Sequence, residues 1–329
     1  MDNADGKPLK SLKALVLAAG YGSRLRPLTE YLPKPLATVC GVTLFDSAVR
    51  LCLSAGADDI AVNTHHLADV MEKYALAHGL RLGARTVYVS HEPTILGTGG
   101  ALVALEKWWG DSPLLVYNGD ILADLDLPAL AASHANGHSL VTMSVHDHPP
   151  TDGGRSVWVT PDGDVKYIAK ASDLPAEYDR KTLSQHGFAC AYVAGSGLRQ
   201  YLPKTPEYFD LILAFNAALK AGHKITALRH TGFWADIGNP RSLWETNLLV
   251  HKMPEKVRSK ILGAPAVQGS QAASGDFTVD RESVISPTAQ VGKHAVIKNS
   301  VLLAGAEVLE SEILTNIIRG FDLDTGFHD

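Results

Sequence analysis

Short apolar runs alternate with helical periodicity over the first half of the chain. Buried strands are predicted at residues 14–17, 60–62, 86–89 and 114–117. Amphipathic helices are predicted between them, at residues 44–55, 67–77 and 100–108. Strands that alternate with helices form a largely parallel sheet with both faces covered. Binding sites in such sheets lie in the loops at the carboxyl ends of the strands.

The pattern changes after about residue 139. Residues 157–159 and 165–168, joined by a polar turn, predict an antiparallel hairpin, so we expect a mixed sheet. Further elements are predicted at residues 197–202, 209–221 and 240–251 (helices) and 225–228 (strand). After a flexible tail at residues 1–11, residues 12–252 are therefore expected to form one α/β domain, a Rossmann-like, mostly parallel sheet flanked by helices.

Aliphatic residues recur at a spacing of six near the C-terminus. The repeat comprises Val279, Ile285, Val291 and Ile297 and, after one step of five, Leu302, Val308 and Leu314. A period of six fits neither a helix nor a flat strand and is typical of a β-helix. We expect a linker at residues 253–276, rich in small residues from 263 onward, and a short left-handed hexapeptide β-helix at residues 277–329. A small antiparallel appendage is the alternative for the repeat.

Composition and charge exclude several classes of function. Hydrophobic residues make up 46% and charged residues 20%, as in ordinary globular proteins, and the net charge of -5 gives no sign of nucleic-acid binding. No apolar run approaches the ~20 residues that span a bilayer, and no signal peptide is recognisable, so we expect a cytoplasmic protein without a membrane partner. Residues 276–329 hold nine acidic and four basic side chains and so account for the whole net charge of -5. The rest of the chain, residues 1–275, is neutral overall.

The cysteines and histidines do not predict a metal centre. Cys40, Cys52 and Cys190 lack the spacing of a disulfide framework or a zinc site and are expected to be buried small side chains. The pairs His65-His66 and His146-x-His148 lack partners at zinc-ligand spacing and are expected in solvated loops.

The most informative segment is residues 15–36, LVLAAGYGSRLRPLTEYLPKPL. Its apolar strand enters a loop with two glycines, and glycines in that place let backbone N–H groups approach a phosphate closely. Neither the Walker A pattern nor the dinucleotide fingerprint fits, and three prolines prevent a regular helix. The segment predicts a proline-stiffened loop that holds Arg24 and Lys34 above the sheet, with a solvated basic loop as the alternative.

This segment resembles the signature of the sugar nucleotidyltransferases, G-x-G-[ST]-R-x-x-P-x-T-x-x-x-P-K-P. The matching residues are Gly20, Gly22, Ser23, Arg24, Pro27, Thr29, Pro33, Lys34 and Pro35. Further family motifs follow in order at Glu92-Pro93, residues 96–100, residues 118–120 and residues 234–238. The resemblance covers residues 12–250, and the C-terminal repeat makes the chain most similar to members of the mannose-1-phosphate guanylyltransferase type.

The resemblance implies transfer of a nucleotidyl group from an NTP to a sugar 1-phosphate, with Mg²⁺ as cofactor and pyrophosphate as the second product. It implies catalytic roles for Arg24 and Lys34 and a metal site at Asp120 and Asp236. The nucleotide-binding residues would be Leu17, Ala18, Ala19, Gly20, Gly22, Ser23, Glu92, Gly97 and Thr98. The sugar phosphate would contact Asn118 and Gly187. The repeat would be an interaction element for homo-oligomers, so loss of residues 263–329 is expected to change the oligomeric state more than the activity.

The sequence departs from the family pattern at the sugar site. Many members have a Glu-Lys pair after the mid-chain hairpin, where this chain has Ala169-Lys170. The sequence therefore does not predict which sugar is bound. A GDP-mannose-type product is favoured. One alternative is a uridylyl- or thymidylyltransferase acting on another sugar phosphate, including N-acetylmuramate 1-phosphate. Another is a catalytically silent regulatory subunit that binds a nucleotide sugar.

Overall fold

The computed structural model describes residues 11–150, 154–263, 276–320 and 323–327. Most of the expected tail and residues 264–275 of the expected linker lie outside this range. The strands before residue 240 are β1 (Lys13–Leu17), β2 (Thr38–Val39), β3 (Val42–Thr43), β4 (Asp59–Thr64), β5 (Thr86–His91), β6 (Leu114–Asn118), β7 (Ile121–Ala123), β8 (Val141–His146), β9 (Ser156–Val159), β10 (Val165–Ala169), β11 (Ser184–Ala194), β12 (Ile225–His230) and β13 (Trp234–Asp236). The α-helices are α1 (Leu44–Ser54), α2 (Ala68–Leu82), α3 (Gly97–Ala104), α4 (Glu106–Trp109), α5 (Leu127–Asn136), α6 (Leu211–Lys220), α7 (Pro240–Lys252) and α8 (Glu255–Leu262).

Nine strands form the central sheet. Seven follow the order β10-β9-β11-β6-β1-β4-β5, while β8 pairs with β11 and β12 pairs with β8. The neighbours β6, β1, β4 and β5 are parallel, whereas β11 runs antiparallel to β6, β8 and β9. The expected mixed sheet is confirmed, and β1 places Asn118 and the loop after Leu17 side by side.

Both faces of the sheet are buried. Side chains of β1 alternate between two apolar clusters, with Ala14 and Val16 in one and Leu15 in the other. The first cluster includes Phe45 of α1, and the second includes Phe215 of α6. A strand with both faces covered reads as a continuous apolar run, which is why β1 is recognisable in the sequence.

The C-terminal repeat is a short β-helix. Its strands are β14 (Thr278–Val279), β15 (Val284–Ile285), β16 (Gln290–Val291), β17 (Val296–Lys298), β18 (Val301–Leu302), β19 (Glu307–Val308), β20 (Ile313–Thr315), β21 (Ile317–Gly320) and β22 (Leu323–Gly326). They stack in parallel as β14-β17-β20, β15-β18-β21 and β16-β19, and only β22 is added antiparallel. All seven residues of the six-residue pattern belong to or pack against one apolar cluster, which confirms the prediction.

Part of the expected linker is ordered differently. Residues Glu255–Leu262 form α8, with Ile261 and Leu262 buried. The carbonyl of Ile261 accepts a hydrogen bond from Ser47 of α1 at 3.2 Å, and Lys260 forms an ion pair with Asp124 at 2.9 Å. The composition of the segment concealed this helix, because only its last two apolar residues reach the core.

The expectation of buried cysteines holds for Cys40 and Cys52 but only in part for Cys190, and the expectation of solvated histidines is wrong for His146. All three cysteines are free; Cys40 and Cys52 are buried, which raises the pKa of each thiol to about 12, and Cys190 is partly buried. His146 is buried, because it ends β8 and stacks on Trp234 at 4.2 Å between ring centroids. No helix in the described part of the chain is long and apolar enough to cross a membrane.

Candidate active site

The segment that we call the signature loop, residues 18–36, leaves β1 at the carboxyl edge of the sheet. It forms three short 3-10 turns, at Ser23–Leu25, Leu28–Glu30 and Lys34–Leu36, and no α-helix, as its prolines predict. Gly22 has a φ of 62°, and a Cβ there would lie 2.8 Å from the Thr29 methyl group. The Thr29 hydroxyl donates to the Gly22 carbonyl at 2.9 Å, so the loop closes on a position that requires glycine.

Three charged side chains from distant parts of the chain meet beside this loop. The Nζ of Lys34 lies 2.5 Å from Oδ2 of Asp120 and 3.6 Å from Oδ1 of Asp236. Arg24 approaches Asp236 from the solvent side, with 4.0 Å between Nη2 and Oδ2. The structure therefore brings together all four residues that the sequence predicted for catalysis and metal binding.

Two elements hold the carboxylates in place. Asp120 follows β6 through Gly119, whose N–H donates to the Leu17 carbonyl at 2.9 Å and whose missing Cβ would lie 2.7 Å from that oxygen. Asp236 ends β13, where it pairs with Ile121 of β7 directly after Asp120. Both carboxylates consequently lie at the carboxyl edge of the central strands.

The carboxylate pair fits a hard divalent cation. Oδ1 of Asp236 is buried and makes no hydrogen bond. Burial raises the pKa of Asp236, and the charge of Asp120 adds to the shift, while Lys34 and Arg24 oppose it. Mg²⁺ usually takes one or two protein carboxylates and completes its shell with water and phosphate oxygens. Among the described residues, no group of three or more acidic, histidine or cysteine side chains is placed to hold a metal ion.

A cavity of about 190 Å³ opens next to the charge cluster. It is lined by ten of the predicted site residues, Leu17, Ala18, Ala19, Gly20, Lys34, Glu92, Gly97, Thr98, Asn118 and Asp120, and also by Pro35, Asn63 and Ile95. Gly22, Ser23, Arg24 and Asp236 are not in this lining and lie in the signature loop or at its charge cluster. Ten of the predicted site residues thus border one cavity, and Arg24 and Asp236 adjoin it through Lys34.

Glu92 stabilises the wall of the cavity through hydrogen bonds to neighbouring residues. It is 1% exposed, its Oε1 accepts a hydrogen bond from Asn63 Nδ2 at 2.8 Å, and its Oε2 accepts one from the Leu96 N–H at 2.9 Å. Asn63 in turn accepts from the Ala18 N–H at 2.7 Å. Asn63 is not among the site residues predicted from the sequence, although a polar residue directly after the apolar run at 60–62 was the available signal.

Gly187 lies apart from the cavity lining. It pairs with His146 across β11 and β8, and a Cβ at Gly187 would lie 2.3 Å from the imidazole. The glycine therefore makes room for the buried histidine, which in turn stacks on Trp234, two residues before Asp236.

A mixed α/β sheet with a glycine-containing loop, a cationic cluster and paired carboxylates at its carboxyl edge defines a nucleotide-binding enzyme class. The sequence model of the nucleotidyl transferase family matches residues 13–253. The chain belongs to this family.

Relatives with established names resemble this chain over most of its length. A mannose-1-phosphate guanyltransferase from Gibberella zeae is 27% identical over 339 residues, 96% of this chain and 88% of the relative. An N-acetylmuramate alpha-1-phosphate uridylyltransferase from Neisseria meningitidis serogroup B is 30% identical over 248 residues, 72% of this chain and 98% of the relative. A putative glucose-1-phosphate thymidylyltransferase structure from Bacillus anthracis superposes with a TM-score of 0.63 at 22% identity, over 74% of this chain and 97% of that chain, which supports the fold.

Proposed function

We propose that the protein transfers a nucleotidyl group from an NTP to a sugar 1-phosphate and releases pyrophosphate. The observation that carries this proposal is the buried Lys34 ammonium between Asp120 and Asp236, at the mouth of a cavity lined by the signature loop. Two anionic substrates must meet in such a reaction, and the cluster supplies two cations together with two carboxylates for a metal.

The reaction needs positioning and charge neutralisation more than covalent help from the protein. A phosphate oxygen of the sugar 1-phosphate attacks the α-phosphorus of the NTP, and the bond from that phosphorus to the bridging oxygen of pyrophosphate breaks. Lys34 places a fixed positive charge between the phosphates, and Arg24, 71% exposed, is free to bind triphosphate oxygens bidentately. Asp120 and Asp236 would hold a divalent cation, which we propose is Mg²⁺, and that ion would neutralise phosphate charge.

The substrate pair that we favour is GTP with mannose 1-phosphate. The guanyltransferase relative aligns with 96% of this chain, so the similarity includes the β-helix. A uridylyl reaction is the second candidate, because the uridylyltransferase relative is 30% identical over 248 residues, against 27% over 339 residues for the guanyltransferase relative. Ala169 is buried, and its carbonyl accepts a hydrogen bond from Trp158 Nε1 at 3.4 Å. Other residues would therefore contact the sugar.

The test is a matrix of four NTPs against a panel of sugar 1-phosphates, with pyrophosphate release as the readout and Mg²⁺ present throughout. We expect one pair, GTP with mannose 1-phosphate, to exceed all others. Preference for UTP with N-acetylmuramate 1-phosphate would select the second candidate. If every pair is inactive while the protein still binds a nucleotide sugar, the proposed reaction is wrong and the regulatory-subunit alternative stands.

A further inference from the structure

The end of β4 and the two residues that follow it contact the signature loop at three points. Near its start, the Ala18 N–H donates to the Asn63 side chain. Further along, the Tyr21 hydroxyl lies 2.9 Å from Nε2 of His65. Within the second 3-10 turn, the Thr29 carbonyl lies 2.5 Å from Nε2 of His66. Three of the four residues at 63–66, Asn63, His65 and His66, therefore hold the loop from one side.

The hydrogen-bond partners assign the proton positions on the two imidazoles. Nδ1 of His65 lies 2.7 Å from the Glu92 carbonyl, which can only accept, so Nδ1 carries the proton. With the proton on Nδ1, Nε2 of His65 accepts from the Tyr21 hydroxyl. The Thr29 carbonyl is also an acceptor, so His66 donates from Nε2. Each imidazole makes hydrogen bonds to the protein through specific ring nitrogens. These contacts distinguish His65 and His66 from histidines in a solvated loop.

Ring contacts reinforce the same attachment. The Tyr21 ring lies edge-on to His65, with centroids 5.2 Å apart, and its centroid is 5.9 Å from that of His66. Tyr21 remains 47% exposed, so the contacts do not serve to bury it. The segment between Tyr21 and Thr29 carries Gly22 and Arg24, and the weak 4.0 Å contact of Arg24 with Asp236 cannot by itself position this segment.

We propose that His65 and His66 are positioning residues that hold residues 20–30 in the conformation that receives the nucleotide triphosphate. Loss of either contact increases the motion of the backbone that carries Arg24 and raises the entropy lost when the nucleotide binds. The proposal rests on the proposed function for its kinetic consequence, but the conformational consequence is measurable without any substrate.

The first experiment is a double-mutant cycle on the Tyr21–His65 hydrogen bond. Tyr21→Phe removes the hydroxyl, and His65→Asn places an amide nitrogen at the position of Nδ1 but removes the acceptor of the hydroxyl. We expect each variant to raise KM for the NTP about fivefold, as for loss of one hydrogen bond, with KM for the sugar phosphate unchanged. The double variant should lose no more than either single variant, because both remove the same bond. Tyr88→Phe, at a similarly exposed tyrosine, is the control.

The second experiment measures amide hydrogen exchange of residues 20–30 without nucleotide. His65→Asn and His66→Ala should accelerate exchange there at least threefold and leave β1 unchanged, and His66→Gln, which retains a donor near Nε2, should restore part of the protection. Wild-type exchange in both variants, or additive losses in the cycle, would overturn the positioning role. If the wild-type protein transfers no nucleotide, the proposed function fails, and the exchange data still test the positioning role.

Discussion

Lys34, Asp120 and Asp236 form a cluster in which each charge depends on the other two. Lys34 is 8% exposed, and an ammonium that buried needs nearby carboxylates to offset its desolvation. Arg24, 4.0 Å from Asp236, brings the cluster to two positive and two negative charges, while Asp236 retains a buried oxygen without a hydrogen bond. This oxygen favours a cation at the edge of the cluster.

Neutralising either carboxylate should abolish most of the activity. Asp120→Asn and Asp236→Asn keep the size of the side chain but remove the charge that would hold the metal, so we expect turnover to fall by about 10³-fold. Circular dichroism should show an unchanged fold. Asp162→Asn, in an exposed turn, is the control and should retain full activity. Pyrophosphate release near the wild-type rate in either site variant would contradict the metal assignment.

His146 should make the stability of the protein depend on pH. Burial lowers the pKa of His146 from 6.5 to about 4, with smaller contributions from neighbouring histidines. Between these two pH values the unfolded chain binds a proton that the folded chain does not, so the free energy of unfolding falls as the pH falls through this window. Burial also lowers the pKa of His134, which acts in the same direction.

This dependence can be measured by denaturation with urea at pH 7.5 and pH 5.0. We expect His146→Asn to remove about 1–3 kcal/mol of the difference between the two pH values, whatever its effect at pH 7.5. His138→Asn, at an exposed position, should keep the wild-type difference. An unchanged difference in the His146 variant would show that its imidazole does not titrate as the burial predicts.

At the scale of single residues, the sequence predicted the site residues that belong to recognisable motifs and missed those that lie outside such motifs. Arg24, Lys34, Asp120 and Asp236 carry family motifs, and the fold brings them together. Asn63, His65 and His66 were not predicted, because their partners lie in the signature loop and at Glu92, tens of residues away. A polar residue at the end of the apolar run marks Asn63, but nothing in the local pattern shows which atoms of the signature loop Asn63, His65 and His66 contact.

At the scale of elements, the start of α3 shows how glycines define the site. A Cβ at Gly100 would lie 2.0 Å from the Glu207 carbonyl, and the Gly99 N–H donates to the Phe209 carbonyl at 2.9 Å. The segment before α6 therefore lies directly on α3. Gly20 differs, because a Cβ there meets no atom within 4 Å.

Two alanine substitutions should separate packing from binding. Gly100→Ala should lower the free energy of unfolding by about 2–3 kcal/mol, because the added methyl group displaces backbone. Gly20→Ala should leave stability within about 0.5 kcal/mol of the wild type but raise KM for the NTP, because Gly20 lines the cavity that we propose holds the nucleotide. Thermal melting and NTP titration check both effects. A stable Gly100→Ala protein, or a Gly20→Ala enzyme with wild-type KM, would contradict this division.

Whole elements were predictable where a long period or a clear boundary marked them. The six-residue repeat identified the β-helix because one aliphatic side chain per strand points into the coil. Helix α8 escaped prediction because most of its surface is polar and its burial depends on α1 and Asp124. Tertiary contacts, which no local pattern encodes, decide such elements.

At the scale of the whole molecule, the β-helix shares a core with the catalytic domain. One apolar cluster combines Val301, Leu303 and Ile318 of the repeat with Leu25 of the signature loop and Ile237, the residue after Asp236. Helix α7 lies between them, and its Trp244 donates from Nε1 to the Asn299 carbonyl at 3.0 Å. Leu25 of the signature loop and Ile237, next to Asp236, both belong to this shared core. We therefore no longer expect loss of the repeat to act mainly on the oligomeric state, because it also removes packing from the active site.

The shared core should make catalysis depend on the repeat. Removal of residues 263–329 would expose Leu243 and Trp244 and withdraw support from the signature loop, so we expect a less stable protein with at least tenfold lower turnover, even as a monomer. Two isoleucines of the last coils give a matched comparison. Ile318→Ala, fully buried, should lower the free energy of unfolding by about 2–4 kcal/mol, whereas Ile313→Ala, 68% exposed, should change it by less than about 0.5 kcal/mol. Wild-type stability and turnover in the truncated protein would show that the catalytic domain needs no support from the repeat.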